Sequence, residues 1–195
     1  MDIIELNRYN ALIMKIKSAV EMQNCTRIFN EDPEQIISRF HINTLYEEFR
    51  LHDFYLLPTF NNDEMYFGTL AVVYSIQKGK TEEKTTEIQS FVLKKLERNY
   101  ETMLIKPESL QDKIMDIFIK DDIDFSDYPD FSKKYYFIAK NKDLALKFAT
   151  AKRIDLITEQ DKIIVEISGD FLFAKYARKI TEKDCKLLIR FINLI

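Results

Sequence analysis

The chain has 195 residues, of which 46% are hydrophobic and 31% charged, and its formal net charge is -3. This composition is ordinary for a globular protein with one sizeable core, and the charge gives no reason to expect a polyanionic partner. Its three glycines, Gly68, Gly79 and Gly169, lie too far apart to form a GxGxxG phosphate cradle. No apolar run approaches the roughly 20 residues of a membrane-spanning helix, and the acidic N-terminus is not typical of a signal peptide, so we expect a cytoplasmic protein.

The first 60 residues predict a pair of amphipathic helices. Apolar side chains recur at spacings of three and four from Leu6 to Val20, which is typical of a helix with one apolar face. A second helix is predicted to begin at Pro33, behind Asp32 as N-cap, and to carry apolar residues as far as Phe49.

From Met65 onward the pattern changes to strands. Residues 65–77 are rich in β-branched and aromatic side chains and predict a strand. Residues 78–84 are polar and predict a hairpin loop, and residues 85–98 predict the returning strand. A short third strand is predicted at 102–105.

The next segment predicts a helix, an acidic loop and a strand. Pro107 suits the first position of a helix that would extend to about Ile119. Residues 121–130 predict a loop and residues 134–139 a strand. Asn141 is then the predicted N-cap of a further helix.

The C-terminal part predicts a hairpin and a closing helix. Residues 162–167 and 171–176 are apolar and flank Gly169-Asp170, where glycine supplies the positive φ of a tight turn. Thr181 and Asp184 have the spacing of a capping box at the start of the last helix.

These elements favour an α+β fold. Strands joined mostly by hairpins predict a largely antiparallel sheet, which about three helices would flank behind the N-terminal helical pair. We expect residues 1–60 to form a helical segment packed on or extending from the core, and residues 61–195 to form the α+β domain.

A set of short motifs lies along the chain from about Met65 onward, and its most specific part is the block DIDF at 122–125 with YPDFS at 128–132. The other members are Phe67-Gly68, Ile105-Lys106-Pro107-Glu108, Tyr135-Tyr136, Glu166 through Gly169 and the aromatic hairpin that ends at Tyr176. In these residues the chain resembles a family of uncharacterised bacterial proteins, which often carry transmembrane helices ahead of a soluble C-terminal region. The resemblance implies an architecture and no reaction. The chain departs from it by having two amphipathic helices where membrane helices would lie.

No linear motif indicates catalysis or metal binding. Cys25 and Cys185 lack metal-ligand spacing and indicate two reduced thiols. The five aspartates between Asp121 and Asp130 do not fit a calcium loop, and the interleaved aromatic residues predict a loop pinned to the core with its charges in water. We therefore expect no cofactor and no metal site.

The favoured hypothesis is a non-catalytic interaction or regulatory protein that contacts itself or a protein partner through its N-terminal helices or a sheet edge. The first helix carries apolar residues beyond its main stripe, and surplus apolar surface marks contact sites. These residues are Ile3, Ile4, Leu12 and Met14.

Two alternatives stay open. An enzyme without a linear motif would use His52 with the carboxylates of Glu47, Glu48 and Asp53. A nucleic-acid binder would need the returning strand and the last hairpin to be neighbours, so that their basic residues form one edge. That basic edge consists of Lys94, Lys95, Arg98, Lys175, Arg178 and Lys179.

Overall fold

The computed structural model of the chain describes residues 3–20, 23–24, 33–57, 64–78, 80–108, 123, 125–178 and 181–195. The strands are β1 Gln23–Asn24, β2 Glu48–Leu56, β3 Met65–Lys78, β4 Thr81–Lys95, β5 Thr102–Pro107, β6 Tyr135–Ala139, β7 Ile163–Ser168 and β8 Phe171–Tyr176. They form one sheet in the order β1-β2-β3-β4-β8-β7-β5-β6. Every neighbouring pair is antiparallel.

The helices lie around this sheet. They are α1 Ile3–Val20, α2 Pro33–Ser38, α3 Pro129–Ser132, α4 Lys142–Phe148, α5 Ala151–Thr158 and α6 Glu182–Leu194, with a 3₁₀ helix at His41–Leu45. The predicted α+β class and antiparallel sheet are confirmed. The N-terminal helical pair is matched only in part, because α2 has six residues.

Each face of the sheet carries its own apolar core. On the first face, Tyr9 and Ile13 of α1 pack with Leu188 and Ile192 of α6 over the sheet. On the second face, Ile37 and Phe40 are among the buried residues of a segment that crosses the sheet. We call this segment, residues 33–46, the strap, because α2 and the 3₁₀ helix lie in it.

The second predicted helix is wrong beyond Ser38. Residues Glu48–Leu56 form β2, which pairs with β3 and carries a bulge between Leu51 and Asp53. Successive side chains of this segment therefore point to opposite faces of the sheet, as in any strand. Phe49 and Leu51 pack on the second face.

The hairpin loop predicted at 78–84 is also wrong, because Thr81–Lys84 belong to β4. Residues 79–80 alone connect the strands, since Lys78 pairs with Thr81. These polar residues are extended because β3 supplies a ladder partner for each of them, although little of their surface is buried.

Other predictions had mixed outcomes. Pro107 ends β5, where it pairs with Tyr135, so it does not begin a helix; residues 109–122 lie outside the described part of the chain. Asn141 caps α4 as predicted. The separate helix α5 was missed, and the helical turn Pro129–Ser132 begins in the predicted acidic loop and continues two residues past its end.

The C-terminal predictions are confirmed. Gly169 has φ of 67° in the turn between β7 and β8. Thr181 accepts from the Asp184 amide, and the Asp184 side chain accepts from the Thr181 amide, which completes the capping box of α6.

A row of aromatic rings crosses the second face above Gly68. Phe91 lies opposite Gly68 in the β3–β4 ladder, and its ring stacks on Phe173 with centroids 5.0 Å apart. A Cβ at position 68 would lie 2.3 Å from Phe91 Cζ and 2.9 Å from Phe54 Cδ2. Only glycine therefore leaves room for both rings.

Candidate functional site

The strand β4 has two parts with different neighbours. Phe91–Lys95, the inner segment, pairs with β3 on one side and with β8 on the other. Thr81–Ser90, the outer segment, pairs with β3 and has no strand on its other side among the described residues. The β3–β4 hairpin thus extends past the body of the sheet.

The direction of each backbone group in β4 follows from two hydrogen bonds at its end. The Lys95 amide donates to the oxygen of Glu64, on the β3 side, at 2.8 Å. The Leu96 amide donates to the oxygen of Asp170, on the β8 side, at 2.7 Å. Because successive residues of an antiparallel strand point to opposite neighbours, odd-numbered residues of β4 face β3 and even-numbered residues face away.

In the outer segment the outward-facing residues that precede the buried Ser90 have no strand partner on their outward side among the described residues and form an open sheet edge. They are Glu82, Lys84, Thr86 and Ile88, which present four amide N–H groups and four carbonyl groups over roughly 20 Å. Such a row is a template for pairing with another extended chain. We call these four residues the open edge.

The side chains around the open edge are mainly acidic. Glu82, Glu83 and Glu87 lie in the outer segment, whereas its single basic residue, Lys84, is paired with Glu47 at 2.7 Å. Glu87 accepts from the Tyr74 hydroxyl at 2.7 Å, which fixes its position on the second face. An extended partner with basic side chains would complement this charge.

The predicted contact residues of α1 include one largely exposed side chain among those that the structure describes. Of the four, Leu12 is half-buried and Met14 is 67% exposed, while the side chains of Ile3 and Ile4 lie outside the described part. The main stripe of α1 is inside, since Tyr9 and Ile13 are buried. One exposed methionine is normal for a protein surface.

The structure separates the residues of the predicted basic edge. The strands β4 and β8 are neighbours as the hypothesis required, but both lie inside the sheet. Lys94 lies opposite Leu172, at the start of β8, whereas Arg178 follows the end of that strand. Six residues of extended chain correspond to roughly 20 Å. Lys175, between them, is buried, and Lys179 is outside the described residues.

Lys175 points into the second core beneath the strap. It is 3% exposed, and its ammonium donates to the hydroxyl of Tyr46 and to Oε1 of Gln89. Burial lowers the pKa of Lys175 to about 7, against a smaller opposing effect of Glu87. Sequence reasoning placed this residue on the surface because Lys is rarely buried.

A second buried charged residue holds the strap on the sheet. Glu166 of β7 accepts from the amide of His41 at 2.6 Å and from the amide of Ile42 at 2.8 Å. His41 Nδ1 lies 2.9 Å from Glu166 Oε1, where an Nδ1–H donates to the carboxylate. The carboxylate thereby satisfies the start of the 3₁₀ helix.

The residues of the enzymatic alternative are only partly brought together. Asp53 Oδ2 lies 2.8 Å from His52 Nδ1, and Asp53 also accepts from Tyr9 at 3.2 Å, Tyr55 at 3.1 Å and Thr69 at 3.3 Å. Burial acts to raise the pKa of Asp53, but these bonds, led by that of His52, hold it below its usual value.

The carboxylates that this alternative adds lie elsewhere. Glu47 precedes β2 and Glu48 begins it, so both lie four or more residues from His52 along the chain. Glu47 also forms an ion pair with Lys84. Asp53 therefore joins α1, β2 and β3 through Tyr9 and Thr69 as a structural anchor.

The acidic loop and the buried cysteine both have structural environments. In the described part of the loop, Phe125 stacks on Phe137 at 5.5 Å and meets Phe131 edge to face, while Asp127 and Asp130 are exposed. Burial raises the pKa of Cys185 to about 12, so its thiol is unreactive. Within the described ranges no three His, Cys, Asp or Glu side chains are grouped to hold a metal ion.

Comparisons with known proteins define the fold and no family. No family model matches the chain, and no curated protein does. A crystal structure of the mycobacterial trehalose monomycolate transport factor A, TtfA, is similar, with a TM-score of 0.57 and 6% sequence identity over 94% of this chain and 91% of that chain. A likeness at this identity concerns the fold alone.

Membership of the uncharacterised bacterial family remains a prediction. In the part of the chain that the structure describes, no helix is long and apolar enough to cross a membrane.

Proposed function

We propose that this chain is a non-catalytic interaction or regulatory protein that binds an extended segment of a partner protein at the open edge. The observation that carries the proposal is the row of outward-facing backbone groups from Glu82 to Ile88, opposite the ladder with β3. A partner strand would complete these hydrogen bonds as the next strand of the sheet.

The chemistry around the open edge indicates what kind of segment would bind. Main-chain hydrogen bonds would supply affinity, and alternate side chains would supply specificity. Because Glu82, Glu83 and Glu87 outnumber Lys84, the partner segment would carry Lys or Arg at alternate positions. Thr85, Thr86 and Ile88 favour an extended conformation next to it.

The similar structure supplies the fold for comparison and no residue of the proposed binding edge. The protein in that structure is named a transport factor, and this name describes a part in transport rather than a reaction. Neither the cargo nor the partners of that protein are assigned to this chain. Cytoplasmic location, bacterial origin and self-association of this chain stay predictions.

Binding at the open edge is tested with Thr86→Pro. Because the Thr86 amide faces away from β3, proline removes an outward donor while it leaves the β3 ladder intact. Extended peptides would be selected from a random display library against the whole chain, and their affinities measured by fluorescence anisotropy. We expect selected peptides to alternate basic and β-branched residues, and Thr86→Pro to weaken them by about tenfold or more.

Thr86→Val is the matched control, since valine keeps the amide and the strand preference. It should bind the peptides as the unmodified chain does. The proposal fails if no peptide is selected, or if Thr86→Pro and Thr86→Val bind equally well. If the chain instead forms a dimer that Thr86→Pro dissociates, the open edge pairs with a second copy and the partner in this proposal is wrong.

A further inference from the structure

A groove of about 510 Å³ lies between the end of β4, the start of α5 and the end of α6. It is separate from the open edge, which belongs to the other end of β4. Its lining residues are Lys94, Lys95, Leu96, Glu97, Arg98, Tyr100, Lys152, Arg153, Asn193, Leu194 and Ile195. Five of these are basic and one is acidic, in a chain whose formal net charge is -3.

Two of the cations are available to a ligand. Arg98 and Lys152 are exposed, and neither has an ion pair with a described residue. Lys95 makes a long pair with Glu64 at 3.5 Å. The long side chains of Arg98 and Lys152 would reach a ligand at little cost, because no ion pair with a described residue has to break.

Arg153 gives the groove a fixed wall. Its Nε and Nη2 donate to the oxygen of Ile195 at 3.1 and 3.0 Å, and its Nη1 donates to the oxygen of Phe148 at 3.1 Å. The guanidinium lies 4.7 Å from the centroid of the Phe148 ring. These contacts join the end of α6 to the start of α5 and set the shape of the groove.

The start of α5 also favours an anion. Its first turn contains Lys152 and Arg153 and no acidic residue, whereas α4 has Asp143 and α6 has Glu182 and Asp184 at the same place. Basic side chains at a helix N-terminus oppose the helix dipole. A bound anion would be attracted by both the dipole and the side chains.

We propose that this groove binds a small ligand that carries phosphoryl groups. Its volume is within the range of roughly 300–1,000 Å³ that small-molecule sites occupy, and Lys and Arg are the side chains that hold phosphate oxygens. A nucleic-acid strand fits less well. The basic residues do not continue along the sheet, since Lys175 is buried and Arg178 lies at the other end of β8.

The test uses inorganic pyrophosphate as the probe, with calorimetric titration of the whole chain at low salt. The variant Arg98→Gln with Lys152→Gln removes both available cations. Arg50→Gln with Lys142→Gln is the matched control, because these exposed residues have the same charges and lie outside the groove. We expect saturable binding that the first pair weakens by about tenfold or more and that the control leaves within about twofold.

Anionic vesicles distinguish a lipid headgroup from a free phosphoryl compound. Vesicles of phosphatidylcholine with phosphatidic acid would be sedimented with each variant. Retention that the groove variant loses and the control keeps assigns the phosphoryl groups to a lipid. Pyrophosphate binding without vesicle retention assigns them to a soluble compound. The proposal is overturned if pyrophosphate does not bind saturably, or if the groove and control variants lose binding equally.

Discussion

The inner and outer segments of β4 share one strand and one partner but differ in what surrounds them. Phe91, Val92 and Leu93 of the inner segment are fully buried by the cores on the two faces of the sheet. On the side away from β3, they pair with β8. Thr81–Lys84 are exposed, and the outer segment has β3 alone as its described neighbour. The inner segment is therefore stabilised by burial and the outer one by its hydrogen-bond ladder.

This difference separates stability from recognition within one strand. A change in the inner segment removes or overfills apolar contacts, which costs several kcal/mol in a packed core. A change at the open edge meets water on one side and costs little stability. Experiments on the two segments should therefore give opposite results for folding and for binding.

The largest expected effect is that of Gly68→Ala in the packed part of the hairpin. The added Cβ would meet Phe91 Cζ at 2.3 Å, so the ring must shift with its neighbours. We expect a loss of about 3 kcal/mol in the free energy of unfolding, measured by denaturant titration.

Gly169→Ala separates this clash from a backbone effect. Position 169 has φ of 67° and no atom closer than 3.8 Å to the new Cβ, so alanine there meets strain and no clash. It should cost only about 1–2 kcal/mol. Equal losses at both positions would show that Phe91 is not packed over Gly68.

The next effect is that of Glu166→Ala, which releases the strap from the sheet above the inner segment. The amides of His41 and Ile42 would lose their acceptor in a buried place. We expect a loss of about 2–3 kcal/mol, with Glu166→Gln losing less because its oxygen still accepts. Peptide binding at the open edge should not change, and a change would mean that the strap and the edge are coupled.

An effect that depends on pH concerns Lys175, which lies opposite Phe91 where the two segments meet. Its pKa falls from 10.5 to about 7 on folding, so between these values the unfolded chain binds a proton that the folded chain does not. Stability should therefore rise with pH above about 7, by up to about 1.4 kcal/mol per pH unit.

Lys175→Met should remove this rise and increase stability at pH 6, since no buried charge remains and Tyr46 still donates to Gln89 at 2.6 Å. The exposed Lys142→Met is the control and should keep the rise. Unfolding midpoints between pH 6 and 9.5 measure it. If Lys175→Met left the pH dependence of stability unchanged, the amine of Lys175 would be exposed to water in the folded chain and the account would be wrong.

The contrast between buried and exposed strand segments also explains which parts of the fold the sequence predicts. Residues 65–77 and 171–176 are apolar, so their pattern predicted strands that the structure confirms. Thr81–Lys84 read as a loop because their side chains are polar, and the ladder that makes them a strand is a long-range contact that no local pattern records. Residues 48–56 read as helix because the bulge at His52 disturbs strand alternation.

The sites were harder to predict than the strands. The open edge depends on where β8 ends beside β4, which is a matter of register. The groove joins Arg98 with Lys152, which are 54 positions apart in the sequence. Lys94, Lys95 and Arg98 were identified as a basic cluster, and only the fold shows that Lys152 and Arg153 of α5 line the same groove.

Amide hydrogen exchange along β4, followed by NMR at low protein concentration, tests the open edge most directly. We predict fast exchange at Glu82, Lys84, Thr86 and Ile88, and protection at the odd-numbered amides that face β3. In the inner segment, odd and even amides should both be protected. Uniform protection from 82 to 88 would show that the edge is covered, and uniformly fast exchange would show that the outer strand does not form; either result would contradict the account.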